Sequence, residues 1–205
     1  MPENHADLIR LNGKNRVYLD AASDTVIKCY PSGQSAQYAY GVMTAVYPYA
    51  PVAKAYGIRD DTVYMEYIKG ASYMDKFLKA DEEGALILAR MLIDYTLNLS
   101  SAGYVQTDNN FTNYIVKDSV YGIDYDEMRL TSDEYDYRDS LSDNILFALT
   151  YKGVKESVKL IYAREIIKTG INGTRLNNAL KRLIVRRGAG LNEYRALYDK
   201  LLRDL

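Results

Sequence analysis

The first part of the chain alternates short apolar-rich runs with polar turns. The runs carry β-branched and aromatic residues, and the turns carry Gly, Asn, Asp and Ser, which is the pattern of short strands joined by tight connections. The runs span residues 8–11, 16–19 and 25–30. They predict an antiparallel meander of three strands. Two further strands are predicted at 52–56 and 62–68, with a turn at 57–61 between them.

Apolar residues recur every three or four positions in most of the remaining chain, which predicts amphipathic helices. One such helix covers 34–47 and a short one covers 72–79. The longer helices are predicted at residues 81–101, 140–152, 154–168, 174–187 and 191–203. The stretch at 132–139 is acidic and rich in tyrosine, as expected of an exposed connector. The pattern therefore predicts an α+β fold, in which an antiparallel sheet is followed by a mostly helical part.

The stretch from residue 104 to 127 interrupts the helices with a polar loop, a hairpin and a second polar loop. Two β-prone runs flank a Lys-Asp-Ser turn, which predicts the hairpin. A hairpin returns the chain to its starting point, so Asn113, before the first strand, and Asp124, after the second, should lie side by side. Amide and carboxylate oxygens bind Mg²⁺ together with substrate phosphates. These two residues form a predicted Mg²⁺ site, and Asp108 on the preceding loop is placed to act as a base.

The spacing D-x-x-x-x-N, then a hairpin, then I-D resembles the catalytic and metal-binding loops of the protein-kinase-like superfamily. The sequence here, D-N-N-F-T-N followed by I-D-Y-D, is similar to the aminoglycoside phosphotransferase, lipopolysaccharide kinase and RIO-type branches. The resemblance implies that Asp108 is the catalytic residue and that Asn113 and Asp124 bind the metal. Gln106 stands where kinases usually have histidine, and it can still hydrogen-bond the loop.

Two other interpretations of this stretch do not involve a kinase. Asp and Asn are common in turns, so these residues could serve the backbone alone. An EF-hand interpretation fails, because Arg129 occupies the sixth position of a loop that starts at Asp124, where a calcium loop requires glycine.

The resemblance extends to the predicted sheet. The Val-Ile-Lys that ends at Lys28 resembles the third-strand motif whose lysine binds the α- and β-phosphates of ATP. A surface lysine at a strand end is the alternative, but its order and distance before Asp108 favour the phosphate-binding role. The turn at 12–15 takes the place of the glycine-rich loop over the phosphates, with Gly13 as its single glycine. An ordinary hairpin explains this turn equally well.

The predicted helix at 34–47 departs from the family pattern. No acidic residue occurs between Asp24 and Asp60, so this helix cannot supply the glutamate that pairs with the lysine in kinases. Gln37, a tyrosine or an acid from another region would then have to orient Lys28. Otherwise the activity is low or lost. We expect Lys28 to point towards Asp124, the nearest carboxylate that the hairpin places there.

Glu66, Tyr67 and Ile68 resemble the hinge whose backbone groups hold adenine in kinases. The alternative is an ordinary buried strand that ends in a glycine turn. The resemblance implies an N-lobe at 1–69, with this hinge at 66–69, and a helical C-lobe at 70–205 that carries the catalytic and metal loops.

Composition excludes several other classes of protein. The formal net charge is −1 and the pI is about 5.9, so charge alone does not favour nucleic acid or an anionic membrane as a partner. A single cysteine and a single histidine exclude an internal disulfide framework and a structural zinc site. The chain shows no apolar signal core and no run of membrane-spanning length, which predicts a cytoplasmic protein.

Two features of the helical part have alternative interpretations. Asp143 stands about where kinase-like folds use an aspartate to brace the catalytic loop, and a helix N-cap explains it equally well. Arg182, Arg186 and Arg187 form a basic face that could bind a phosphorylated or nucleic-acid partner, although a solvated helix face is the favoured interpretation.

The resemblance as a whole implies a phosphotransferase that uses ATP and Mg²⁺ to phosphorylate a hydroxyl group. The helical tail is short, which favours a protein or glycan acceptor over a free small molecule. Two alternatives are a non-catalytic pseudokinase that binds a nucleotide or a partner, and a scaffold with polar loops and no nucleotide.

Overall fold

The computed structural model describes residues 8–12, 16–187 and 192–203, and for Asn12, Arg187 and residues 192–194 it describes the backbone alone. Gly13, which the sequence analysis aligned with a phosphate-covering loop, lies outside the described residues.

Five strands form an antiparallel sheet in the first third of the chain. The strands are β1 (Leu8–Asn12), β2 (Arg16–Asp20), β3 (Thr25–Cys29), β4 (Ala55–Arg59) and β5 (Thr62–Glu66). They are arranged in the order β1-β2-β3-β5-β4, and each neighbouring pair is antiparallel. The predicted meander of three strands is confirmed. Lys28 lies in β3, opposite Val17 on one side and Val63 on the other.

The fourth strand begins and ends later than the sequence pattern predicted. The predicted turn at 57–61 is wrong in its first three residues, which belong to β4. Gly57 sits where the register between β4 and β5 shifts, so this glycine marks a strand irregularity. The turn is made by Asp60 and Asp61, and Asp60 adopts the left-handed φ of 53° that Asp tolerates in turns.

One helix, α1 (Gly33–Val46), packs against β4 and β5. The Ser32 side chain caps this helix by accepting a hydrogen bond from the Ser35 N–H at 3.1 Å. The buried face of α1 consists of small and apolar residues, namely Ala36, Ala39, Val42, Met43 and Val46. Because α1 contains no acidic residue, it offers Lys28 no carboxylate.

The rest of the chain is mostly helical. The helices are α2 (Tyr73–Leu78), α3 (Glu82–Ser101), α4 (Tyr137–Thr150), α5 (Glu156–Ile167), α6 (Gly173–Arg187) and α7 (Asn192–Arg203). Helix α3 packs along α5, and α4 packs against both α5 and α6. Every residue of α4 from Asp139 to Thr150 is buried, so α4 is the central helix of this part.

Helix α4 begins earlier than predicted, within the stretch expected to be an exposed connector. Asp136 caps the helix by accepting hydrogen bonds from the N–H groups of Arg138 and Asp139, at 2.7 and 3.3 Å. Asp139 is buried and forms an ion pair with Arg175. These two carboxylates therefore stabilise a helix N-terminus, whose dipole favours negative charge.

The chain between α3 and α4 contributes to two small β structures. Strands β8 (Tyr114–Val116) and β9 (Val120–Gly122) form the predicted hairpin, which β6 (Ala71–Ser72) extends to three strands. Strand β7 (Tyr104–Gln106) pairs with β10 (Met128–Leu130), a pairing that the sequence pattern did not predict. A side chain at Gly122 would collide with the Tyr95 hydroxyl, so glycine allows β9 to lie close to α3.

The architecture is thus a mixed α+β fold with an antiparallel sheet, as predicted. None of the helices in the described part of the chain is both long and apolar enough to cross a bilayer.

Candidate functional site

The β8–β9 hairpin brings Asn113 and Asp124 to one place. Residues Phe111–Asn113 form a short 3-10 turn before β8, and the Ile123 N–H donates to the Asn113 carbonyl at 3.0 Å. This bond closes the hairpin one residue before Asp124, and both side chains line the same cavity. The adjacency that the hairpin predicted is therefore present.

Asn113 also holds Asp108 in place. Its Nδ2 donates hydrogen bonds to the Asp108 carbonyl and to Asp108 Oδ2, both at 3.1 Å. The amide oxygen of Asn113 accepts no hydrogen bond from the described residues, which leaves it free to bind a cation. The Asp108 side chain is 38% exposed, so a ligand can reach its carboxylate.

Gln106 links the two polar loops. Its Nε2 donates to the Asp108 carbonyl at 3.3 Å and to the Asp124 carbonyl at 3.2 Å. Gln106 is buried, and it lies at the end of β7, which fixes its backbone through pairing with β10. The prediction that glutamine at this position can still hydrogen-bond the loop is confirmed.

Asn109, next to the proposed base, is the buried centre of a hydrogen-bond network. Its side chain is fully buried. Its Oδ1 accepts hydrogen bonds and its Nδ2 donates them, and each donor–acceptor distance is 3.1 Å or less. The donors are Tyr114, Ser140 and Asn144, and the acceptors are the Gln106 carbonyl and the Tyr135 hydroxyl. The role of Asn109 was not predicted, because an asparagine in a polar loop carries no sign of burial in the sequence.

A cluster of aromatic residues packs against the loop that carries Asp108 and Asn113. The fully buried Phe111 ring packs edge-on against Tyr73 and Phe77, with ring centroids 4.8 and 5.1 Å apart. It also stacks on Tyr151 at 5.1 Å. These contacts fix the turn between Asp108 and Asn113, since ring packing adds to the free energy of apolar burial.

Asp143 braces the loop through Tyr135 and is not a helix N-cap. It lies inside α4, which Asp136 caps, and its Oδ2 accepts a hydrogen bond from the Tyr135 hydroxyl at 2.8 Å. That hydroxyl in turn accepts from Asn109 Nδ2. Burial raises the pKa of Asp143, and the ion pair with Arg182 at 2.8 Å opposes this rise.

The predicted basic face on α6 is not a free surface. Arg182 forms an ion pair with Asp143 and lies over the Tyr135 ring at 5.0 Å, so it faces inward. Arg186 donates a hydrogen bond to the Thr107 carbonyl at 2.8 Å, and its Nη1 lies 3.8 Å from Asp108 Oδ1. The side chain of Arg187 lies outside the described residues. Asp143 and Asp108 therefore lie within ion-pair distance of Arg182 and Arg186, the two residues of this predicted face whose side chains are described.

Lys28 points to Asp124, as predicted, and also contacts Asp126, which sequence analysis did not select. Its Nζ lies 2.6 Å from Asp124 Oδ1 and 2.9 Å from Asp126 Oδ1. The Lys28 side chain is 8% exposed, whereas those of the two aspartates are 21% and 41% exposed. The Lys28 ammonium also lies 4.7 Å from the centre of the Tyr30 ring, a cation–π distance.

Lys28, Asp124 and Asp126 shift one another's pKa values. Burial raises the pKa of Asp124 to about 6, together with a hydrogen bond to Asp126, while Lys28 opposes the rise. Burial also opposes ionisation of Asp126, but its bond to Asp124 and the Lys28 charge outweigh burial and lower its pKa. For Lys28, burial disfavours the charged form, but Tyr30 and the two aspartates outweigh burial and raise its pKa. Lys28 is therefore positively charged at neutral pH.

One cavity of about 380 Å³ joins most of the predicted site residues. Lys28, Asn113 and Asp124 lie on its polar side. Its other walls include the apolar residues Leu11, Val17, Val26, Ala53, Met65, Ile115 and Ile123. Glu66, Tyr67 and Ile68, the predicted hinge residues, also line it. A mainly apolar cavity of this size with a few polar groups at one side is typical of small-molecule sites.

The predicted hinge offers fewer backbone groups than expected. The Glu66 N–H donates to the Lys54 carbonyl at 2.9 Å, and the Tyr67 N–H donates to the Asp24 carbonyl at 3.1 Å. These two donors are therefore not free to bind a ligand. The Ile68 N–H has no hydrogen-bond partner within the described part of the chain, so it is the hinge donor that a ligand could use.

The chain was also compared with known proteins. A scan against protein-family models finds no match, and a search of curated proteins finds no relative.

Proposed function

We propose that the chain is a two-lobed, protein-kinase-like phosphotransferase that binds ATP with Mg²⁺ and phosphorylates a hydroxyl group. The observation that carries this proposal is the cavity that joins Lys28, Asn113 and Asp124 to the segment 66–68. These residues come from distant parts of the chain, and the resemblance assigned each of them to the same nucleotide. The lobes would meet near Lys69 and Gly70.

The apolar walls of the cavity suit the adenine ring. Val17 and Val26 of the sheet and Ile115 of the hairpin line it from different elements, which matches a flat apolar ligand. Ile68 would donate its N–H, which has no partner among the described residues, to a ring nitrogen. Burial of the ring against these side chains stabilises the complex by about 25 cal/mol for each Å² of apolar surface removed from water.

The polar side of the cavity suits the phosphates. Asn113 Oδ1 and the Asp124 carboxylate would hold the metal, and both are hard oxygen ligands of the kind that Mg²⁺ prefers. A bound Mg²⁺ would neutralise the charge of the phosphates. Lys28 would donate charge-assisted hydrogen bonds to the phosphate oxygens.

Asp108 would act on the acceptor. In the proposed reaction the acceptor oxygen attacks the γ-phosphorus, the bond between that phosphorus and the β–γ bridging oxygen breaks, and ADP leaves. Asp108 Oδ1 orients the acceptor hydroxyl and accepts its proton, while Oδ2 stays hydrogen-bonded to Asn113. The exposure of Asp108 supports an acceptor hydroxyl on a protein or a glycan, because a group on a macromolecular surface can reach it.

A non-catalytic role is the second candidate. Helix α1 lacks the acidic residue that holds the lysine in active kinases, and this observation favours a pseudokinase that binds a nucleotide or a partner. Such a protein would bind ATP in the same cavity without transferring phosphate.

The test is transfer of phosphate from ATP labelled at the γ-position, with the purified chain, Mg²⁺ and a panel of protein and glycan acceptors. The active-kinase proposal predicts labelled product that requires both Mg²⁺ and Asp108. ATP binding without transfer to any acceptor, including the chain itself, would support the pseudokinase. Absence of ATP binding would contradict both.

A further inference from the structure

The Lys28 ammonium is shared by two carboxylates that have different surroundings. Asp124 lines the cavity beside Asn113, whereas Asp126 is not among the cavity residues and is the more exposed of the two. In the proposed function, which this inference extends, a metal would bind the Asp124 carboxylate. Asp126 would then be the carboxylate that remains for Lys28.

No carboxylate of α1 competes for this role, because α1 has none. Within the described residues, the ion pairs of Lys28 are those with Asp124 and Asp126. With Asp124 on the metal and no phosphate yet within reach, a buried lysine without a second carboxylate would carry an uncompensated charge, which is strongly destabilising. Asp126 therefore meets a physical requirement of the site.

Helix α1 contributes to this arrangement in another way, by holding the segment that carries Asp126. The Tyr38 hydroxyl of α1 donates to the Met128 carbonyl at 2.6 Å. The Arg129 guanidinium lies over the Tyr38 ring at 5.5 Å and donates a hydrogen bond to the Asp126 carbonyl. A chain of contacts thus runs from α1 through Tyr38 and Arg129 to Asp126 and Lys28.

We infer that Asp126 positions Lys28, in place of a carboxylate on α1, and that Tyr38 holds Asp126 in this position. Asp126 keeps the ammonium directed at the cavity when Asp124 binds the metal. It does not touch the nucleotide or the metal.

The experiment is a double-mutant cycle between Asp126→Asn and Lys28→Met, with the affinity for ATP in excess Mg²⁺ measured by calorimetry on the full chain. Asp126→Asn should weaken ATP binding by about tenfold, the lower end of what hydrogen bonds to charged groups contribute. It should have no further effect when Lys28 is already methionine. Asp126→Glu, which keeps the charge on a partly exposed side chain, should restore most of the affinity.

The matched control is Glu134→Gln, which removes a charge from an exposed residue of the connector before α4. The ATP affinity of this variant should equal that of the wild type. Tyr38→Phe removes only the hydroxyl that holds the segment, and it should weaken ATP binding less than Asp126→Asn and again only when Lys28 is present.

Thermal unfolding checks that each variant is folded. An Asp126→Asn effect that persists in the Lys28→Met background would overturn the inference and assign Asp126 a role that is independent of Lys28. Unchanged affinity in folded Asp126→Asn, with reduced affinity in Lys28→Met, would also overturn it. These results leave the proposed function intact, whereas a wild-type chain without Mg²⁺-dependent ATP binding would contradict the proposed function itself.

Discussion

The two sides of the candidate site are held by different forces. On the side of Asp108, the neighbouring Asn109 is fully buried and hydrogen-bonded to uncharged groups from β7, β8 and α4. On the side of Lys28, a buried ammonium is held by two partly exposed carboxylates. The first side is a buried network of hydrogen bonds between uncharged groups, which Tyr135 joins to the buried Asp143–Arg182 ion pair. The second side is an ionic cluster that solvent and ligands can reach.

This difference indicates how each side responds to a charged ligand. The buried hydrogen bonds to Asn109 favour one geometry and rigidify the structure around it, while Gln106 Oε1 and Asn144 Oδ1 accept no hydrogen bond from the described residues. An ionic cluster at the surface of a cavity is stabilised by charges that an incoming phosphate or cation can replace. The loop of Asp108 should therefore be preorganised, whereas Lys28 and its two carboxylates should exchange partners when a ligand binds.

The largest expected effect tests the catalytic residue on the preorganised side. Asp108→Asn should lower the turnover by about 100-fold to 10,000-fold, the usual contribution of a general base, with ATP affinity nearly unchanged. Steady-state kinetics and calorimetry measure the two quantities. Asp133→Asn, on the exposed connector, is the matched control. Equal turnover in Asp108→Asn and wild type would remove Asp108 from the chemistry.

The second expected effect concerns the stability of the same side. Asn109→Ala leaves the Tyr114, Ser140 and Asn144 donors without their acceptor and should lower the free energy of unfolding by about 3 kcal/mol. Urea denaturation measures this change. Asn98→Ala, at an exposed position of α3, should change it by less than about 0.5 kcal/mol. Similar losses in the two variants would show that the network does not stabilise the loop.

The smallest expected effect lies where α6 meets Asp108. Arg186→Gln removes a partly exposed charge 3.8 Å from Asp108 Oδ1, and exposed ion pairs contribute about 0–1 kcal/mol. Turnover should therefore fall by no more than about fivefold. Lys181→Gln, an exposed residue of the same helix, is the control. A loss as large as that of Asp108→Asn would instead place Arg186 in the reaction.

The sequence predicted those features of the fold and the site that depend on local signals. Strand alternation and turn residues are local signals, so they predicted β1 to β3 and the β8–β9 hairpin, and hairpin closure then predicted that Asn113 and Asp124 are adjacent. The direction of Lys28 followed from the same argument. These features depend on pairing between neighbouring segments of the chain.

The partners that hold the site were mostly not predictable. Asp126 contacts Lys28 across 98 positions of sequence, and Arg182 reaches Asp143 across 39. Such contacts depend on how distant elements pack, and a single sequence carries no periodic signal for them. One local signal existed for Asp126, because it repeats the aspartate two positions after Asp124, and both carboxylates contact Lys28.

The central claim is that the cavity binds ATP through a metal held by Asp124. The most direct measurement is the ATP affinity of wild type and Asp124→Ala, each with Mg²⁺ and with a chelator, by calorimetry. We predict that Mg²⁺ strengthens binding to the wild type and has no effect on Asp124→Ala, which should remain folded because Asp126 still pairs with Lys28. The same Mg²⁺-dependent affinity in a folded Asp124→Ala variant would contradict the claim.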